Sequence, residues 1–300
     1  MSSVEIAHIT KTFGAVKAVN DVSFTVEPGE FFGLLGPNGA GKTTTIRIML
    51  DIFKPDQGEV SVLGGPMTEA KKNRIGYMPE ERGLYQDQPL ERVLTYLATL
   101  KGMTPAAIRP QLDDYLRRFD LEAYRRKKVK DMSKGMQQKA QIISTLLHRP
   151  ELLIIDEPFS GLDPVNTQMV KSLLREIHDQ GATIIMSTHQ MHQVEELCQR
   201  ILLLDHGQVM LYGPLDAIRK QFAANALIVR TPDALPPLPG ILAVERLNGS
   251  QRLTLSPETS PQQVLRGLVE QAVDVEGFEV AEPTLDEIFI RVVSARQPAA

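Results

Sequence analysis

An α/β fold built on a mostly parallel sheet is predicted by three features of this 300-residue chain. Across its middle, short apolar runs alternate with stretches of helical period, the pattern of strands laid side by side with helices on their faces. A glycine-rich segment, Gly36-x-x-x-x-Gly41-Lys42-Thr43, follows the apolar run FFGLL and opens a helical stretch. Ahead of it, β-branched segments separated by the turn signal EPGE indicate an antiparallel β portion.

The elements follow in order. SVEIAHIT and AVNDVSFTV read as strands, and FFGLLG as a buried strand ending in glycines. The helix KTTTIRIMLDIF is stopped by KPDQG, and GEVSVLG is a further strand. From Leu84 to Arg149 the character becomes helical, in LERVLTYLATLKG, PAAIRPQLDDYLRRFDL and GMQQKAQIISTLLHR. Strands ELLIID, ATIIMSTH and RILLLDHG then alternate with helices NTQMVKSLLREIHDQG and MHQVEELCQR. Near Ala226 the texture changes again. After the proline-rich TPDALPPLPG come strands ILAVERL and QRLTLS, helix SPQQVLRGLVEQ, strand VDVEGFEVA and helix TLDEIFIRVV. The expected organisation is a first domain over 1–222, with a helical insert at about 84–149, and a small α+β domain over 223–300 whose final RQPAA frays.

Bulk properties narrow the function. Hydrophobic residues make up 42% of the chain, enough for a packed core. The net charge of −4 lacks the basic footprint of a nucleic-acid binder. One cysteine, Cys198, excludes an intramolecular disulfide and suits a reducing compartment. No run approaches the roughly 18 apolar residues of a membrane span, and the N-terminus lacks the basic start of a signal peptide.

The chemistry concentrates in a few motifs. In GPNGAGKTT, glycines let backbone N–H groups turn inward around phosphate oxygens, and the helix N-terminus adds a favourable dipole. Gly36, Asn38, Gly39, Gly41, Lys42, Thr43 and Thr44 are read as the nucleotide contacts of this Walker A loop. Lys42 is suited to the β- and γ-phosphates, and the Thr43 hydroxyl to Mg²⁺. The strand LLIID presents Asp156 as a metal ligand and Glu157 as the group that orients and polarises an attacking water. Solvated strand-end acids are the plain alternative, which the preceding loop argues against. His189 ends another apolar strand at the same expected sheet edge, where α/β folds place their ligands. His192, one helical turn on, is the weaker candidate.

These motifs, in this order, make the chain similar to the ATP-binding subunits of ABC transporters. Walker A at Gly36–Thr44 is followed by a helical insert, SKGMQQK, Walker B at Leu152–Glu157, SGLDP at Ser160–Pro164 and His189. The resemblance covers Val4 to Ile218. It implies a P-loop NTPase fold, with a RecA-like mixed sheet and an N-terminal antiparallel β part, acting on ATP with Mg²⁺. It further implies that Phe13 of KTFG stacks on adenine, an ordinary core position being the alternative. Ser133 and Gly135 match the signature, and Asp163 the aspartate that acts across a dimer. Two such subunits pair head to tail, each ATP lying between one Walker A loop and the partner's signature. One chain then cannot close both on one nucleotide. A membrane-spanning permease is the implied partner, with the chain peripheral on the cytoplasmic face. Catalysis falls to Glu157, His189 and Lys42. MPEERGLY, SKGMQQK and the terminal EPTLDEIFIRVV resemble the drug- or sodium-export branch.

Two departures from the family pattern stand out. Glu80 occupies a position where glutamine is common. As a carboxylate it is expected to ligate Mg²⁺ and contact the water, unless Glu80 and Glu81 are simply solvated. In DMSKGMQQKA, Lys134 and Met136 replace a glycine and a glutamine, leaving Ser133 as a helix cap and each backbone N–H in place. The basic run ahead of it, Arg125, Arg126, Lys127, Lys128, Lys130 and Lys134, reads as a solvated face, with a contact to the membrane partner or anionic lipid as the lesser reading. The rival function is a soluble ABC-type ATPase acting on ribosomes or DNA. A single nucleotide domain without sustained heptads argues against it. A non-hydrolysing regulatory binder would be expected to lack Glu157 or His189.

Overall fold

A computed structural model describes residues 1–81, 83–223, 226–247 and 249–294; the terminal RQPAA lies outside the described residues. In chain order the first part comprises β1 (Val4–Phe13), β2 (Val16–Val26), β3 (Phe31–Leu35), α1 (Lys42–Met49), β4 (Gln57–Val62), α2 (Glu69–Lys72) and β5 (Ile75–Met78). The helices α3 (Leu90–Leu100), α4 (Pro105–Arg118) and α5 (Lys134–Leu146) follow. Next come β6 (Leu152–Asp156), α6 (Pro164–Asp179), β7 (Thr183–Thr188), α7 (Met191–Leu197), β8 (Arg200–Asp205) and β9 (Gln208–Pro214), and α8 (Leu215–Phe222) leads into the second part. The chain divides into two compact units, Met1–Leu215 and the part from Asp216 on.

The first unit holds two sheets. A six-stranded sheet runs β5-β6-β7-β3-β8-β9, parallel except for β9, which returns antiparallel on β8. Strands β3, β6 and β7 are buried along their whole length, which is why their centres read as apolar runs rather than alternations. A three-stranded antiparallel sheet runs β2-β1-β4. One core joins them: Val4, Ile6 and Phe24 pack with Phe32, Leu34, Ile46, Met49, Ile154 and Ile185. Phe24 stacks on Phe32 with ring centroids 5.6 Å apart. Burying one such ring stabilises the fold by about 1.5–3 kcal/mol, so the antiparallel part is bound to the strand that carries the phosphate loop.

Several elements differ from the sequence expectation. Helix α1 stops at Met49, not Phe53, because Asp51 turns left-handed at φ 61°. Helix α6 starts earlier, at Pro164, with Asp163 as its cap. Strands β5, β9 and β10 (Ala226–Arg230) and helices α2 and α8 have no counterpart in the sequence expectation. The lone Cys198 is buried and its thiol pKa is pushed up by that burial.

In the second unit, β10 (Ala226–Arg230), β11 (Ile241–Leu247), β12 (Ser250–Leu255), α9 (Pro261–Glu270), β13 (Gly277–Val280) and α10 (Leu285–Ser294) build an antiparallel sheet of order β11-β12-β10-β13. Its core is Leu227, Val229, Leu253, Leu255, Val264 and Leu268. Ser260 and Gln263 close a capping box at the start of α9. The expected strand VDVEGFEVA is reduced to β13; its first residues, Val273 to Val275, are irregular.

Candidate functional site

Register brings the site together. β7 lies between β6 and β3, pairing Asp156 with Ser187 and Leu35 with Thr188. The ends of the three strands therefore line up at one sheet edge.

The loop after β3 is shaped by two glycines. A Cβ on Gly36 (φ 146°) would stand 2.2 Å from the Leu204 carbonyl oxygen, and one on Gly41 (φ 102°) 2.4 Å from that of Ala18. Only glycine passes between these neighbours. The β8–β9 turn braces the loop: Gly207 N donates to Ala40 O at 3.0 Å, and Gly207 O accepts from Asn20 N at 2.8 Å. Gly41 caps α1 without any side-chain bond. The first bond of the helix runs from Thr45 N to Gly41 O, 2.9 Å, so the N–H groups of Lys42, Thr43 and Thr44 have no acceptor within it. An open helix N-terminus of this kind is a phosphate cradle, and Gly39 faces it with nothing within 4 Å of its Cβ position.

Lys42 is 7% exposed and donates to Gly36 O (2.8 Å) and Pro37 O (3.1 Å). Burial lowers its pKa, against the pull of Glu157, Asp156 and Glu80. Thr43 Oγ1 donates to Asp156 Oδ2 at 3.0 Å, and burial raises the pKa of that carboxyl. A hydroxyl and carboxylates are the oxygen donors that small hard cations take. Among the described residues no three His, Cys, Asp or Glu side chains gather as a metal site, so a cation here would draw further ligands from phosphate and water.

Glu157 sits in the left-handed region, φ 50°, with its N–H bonded to Ser187 O at 2.9 Å. Its buried carboxylate is held by three donors. Oε1 accepts from His189 N (2.9 Å) and His189 Nδ1 (2.7 Å), and Oε2 from Thr188 Oγ1 (3.1 Å). A carboxylate only accepts, so His189 carries its proton on Nδ1.

A cleft of about 540 Å³ runs over these groups, lined by Val16, Lys17 and Ala18 of β2, Asn38 to Thr44, Glu80, Asp156, Glu157 and His206. The sequence motifs did not single out Val16, Thr188 or His206. Thr188 adjoins His189, the only local signal for it, while His206 reaches the cleft through the β8–β9 turn. A larger cavity of about 960 Å³, including Gln111, Tyr115, Arg118 and Glu176, shares no lining residue with this cleft.

The remaining predicted residues lie elsewhere on the first unit. Phe13 is half-exposed at the β1–β2 hairpin, packs edge-on against Phe53 and pairs in register with Val16. Ser133 caps α5, its Oγ accepting from Met136 N at 3.2 Å. A Cβ on Gly135 would stand 3.6 Å from Gly161 O. Asp163 caps α6 and accepts from Asn166 N at 2.9 Å, which lowers its pKa. His192 bonds Gln193 rather than the cleft. In the basic run, Arg125 pairs with Glu91 and Asp113, Lys130 with Asp87, and Lys127 lies over Tyr124.

A mixed sheet with a phosphate loop, an acid pair and a histidine on one edge, and a helical insert between loop and acids, defines a P-loop ATPase of the ABC class. The family described as ABC transporter matches residues 19–160, and the DrrA1-3-like ATP-binding protein C-terminal domain matches 213–293. The chain is 41% identical to the ABC transporter ATP-binding protein YhaQ of Bacillus subtilis, over 97% of this chain and 98% of that protein. It is 32% identical to the Nod factor export ATP-binding protein I of a Rhizobium species, over 97% and 96%. A solved ATP-binding subunit of an ABC transporter superposes with a TM-score of 0.70 at 35% identity, over 74% of this chain and 93% of that one. The chain belongs to the ABC transporter ATP-binding proteins and is an ATP-hydrolysing subunit.

Proposed function

We propose that this chain binds ATP with Mg²⁺ in the cleft over α1, hydrolyses it within a head-to-tail dimer, and energises a separate membrane-spanning permease for export. The observation that carries the reading is the Thr43–Asp156 hydrogen bond of 3.0 Å beside Glu157 and Lys42. Phosphoryl transfer to water needs positioning and charge stabilisation more than covalent help. Thr43, Asp156 and Glu80 would hold Mg²⁺, which when bound neutralises charge on the phosphates. Lys42 and the N–H groups of Gly39 and of Gly41 to Thr44 hold the phosphates, Asn38 and Gly36 shape the loop, and Glu157 orients the water with His189 beside it. Phe13 supports the base from the hairpin. Ser133 and Gly135, at the capped start of α5, serve the partner subunit's nucleotide, and Asp163 acts across the same interface.

Residues 1–222 form the nucleotide-binding domain in this reading and 223–300 an accessory domain. No helix among the described residues is long and apolar enough to cross a membrane. In this reading a permease on a separate chain supplies the path, with this subunit on the cytoplasmic face. Export is favoured by likeness to a protein named for Nod factor export. The test is purification of the tagged chain from solubilised membranes. A co-purifying polytopic protein is expected; a wholly soluble, ribosome- or DNA-bound chain would overturn the transport reading.

A further inference from the structure

The cleft has two chemically distinct ends. Glu80, Asp156 and Glu157 make one end acidic, whereas Val16, Lys17 and Ala18 of β2 line the other. The uncapped start of α1 lies between them. A triphosphate laid over that helix, with its cation-bound end toward the acids, directs the nucleoside toward β2.

His206 belongs to the nucleoside end. Its neighbour Gly207 is seated on β2: a Cβ there would stand 2.8 Å from Ala18 O, and Gly207 O takes the Asn20 N–H. Gly207 N also bonds the phosphate loop at Ala40 O. The turn that carries His206 is therefore fixed to both walls of the cleft. His206 itself is left-handed, φ 46°, and its side chain is 91% exposed.

The ring has a close acidic neighbour. His206 Nδ1 lies 2.9 Å from Oδ1 of the buried Asp205. A carboxylate oxygen at that distance favours the tautomer with the proton on Nδ1, and the neutral ring in that tautomer presents Nε2 as a lone-pair acceptor. Among the described residues no hydrogen bond satisfies that atom. A neutral acceptor repels phosphate oxygens and needs a donor. The group next to the phosphates that offers donors is the sugar, through its hydroxyls.

We propose that His206 is a selectivity residue that accepts a hydrogen bond from a ribose hydroxyl of the bound nucleotide, an assignment that rests on the ATP-site reading above. The test is equilibrium binding of Mg²⁺ with ATP, 2′-deoxyATP or 3′-deoxyATP to the full-length chain, in mildly alkaline buffer where imidazoles are neutral. The wild type is expected to favour ATP over at least one deoxy analogue by about 2- to 10-fold, the worth of one neutral hydrogen bond. His206→Gly keeps the left-handed turn while removing the ring, and His206→Asn also tolerates that backbone. Both are expected to bind all three nucleotides alike. Undiminished preference in both variants, or no preference in the wild type, would overturn the assignment. A wild type that binds no nucleotide at all would instead overturn the ATP-site reading itself.

Discussion

In the proposed reading hydrolysis turns on Glu157, and the hydrogen bonds around it say what keeps it in place. Thr188 is almost fully buried and gives its hydroxyl to Oε2, while His189 holds Oε1. Removing the hydroxyl frees one side of the carboxylate, and the Gln190 N–H that the hydroxyl accepts at 3.1 Å, without touching the phosphate loop. Thr188→Val is therefore expected to lower kcat roughly tenfold, the worth of a hydrogen bond to a charged group. KM for ATP should stay within about twofold, and Thr188→Ser should recover most of the rate. Steady-state ATPase assays that show a raised KM with unchanged kcat would exclude a positioning role. Glu80 poses a second question at this scale, since it adds a third carboxylate near Lys42. If it binds the cation, Glu80→Gln should shift the Mg²⁺ midpoint of ATPase activity upward; an unmoved midpoint would leave Glu80 as a surface charge. The loop, acid pair and His189 are legible in the sequence because each is a local motif at a strand end. Thr188 and His206 matter through register and a braced turn, which bring residues far apart in sequence together and leave no local pattern.

Among the elements, β5 shows how little sequence a structurally important strand needs. It is four residues long and includes a glycine, so no alternation marks it. The β3, β6 and β7 runs were legible because burial on both faces gives each an apolar centre, and β9 was not because a hairpin return is mixed in character. Polar bonds add to the apolar packing of Met78 near Ile142 and Leu146 in fixing β5 to the helical insert. Lys101, just past α3, donates to Lys72 O (2.6 Å) and Ile75 O (2.9 Å), and His148, just past α5, bonds Ile75 O at 3.1 Å. Burial, and then the charge of Lys101, lower the His148 pKa from 6.5 to about 4. The folded imidazole thus stays neutral where the unfolded one protonates. Stability from this group is complete above about pH 6.5, falls as pH drops toward 4 and reaches a loss of about 3 kcal/mol below that. His148→Gln keeps a donor for Ile75 O but does not titrate. Urea denaturation across this window should show a flatter pH dependence for the variant; parallel curves would mean that His148 does not bear the linkage.

At the scale of the whole molecule, the proposed composite site makes a prediction that no single-chain site can meet. The phosphate loop ends β3, whereas Ser133 and Gly135 open α5, and neither lines the cleft of its own chain. If each nucleotide lies between one chain's loop and its partner's signature, damage to the two can be sorted by mixing. A chain carrying Lys42→Ala and a chain carrying Gly135→Trp should each be inactive alone, because a two-fold dimer of either has both sites damaged. In the mixed dimer one site collects both lesions and the other receives none. Random assembly makes half the dimers mixed with one intact site each, so ATPase activity should return to as much as about a quarter of wild type. The measurement is the rate against mixing ratio, with a maximum at equal amounts. Tryptophan at Gly135 suits this test because the start of α5 lies near Gly161 O and its inner face is otherwise left to Ala140, Ile143 and Leu146, so the substitution blocks the interface rather than the core. A flat response to mixing, with both variants folded, would show that this chain does not build sites with a second copy of itself, and would direct the search to a different partner subunit.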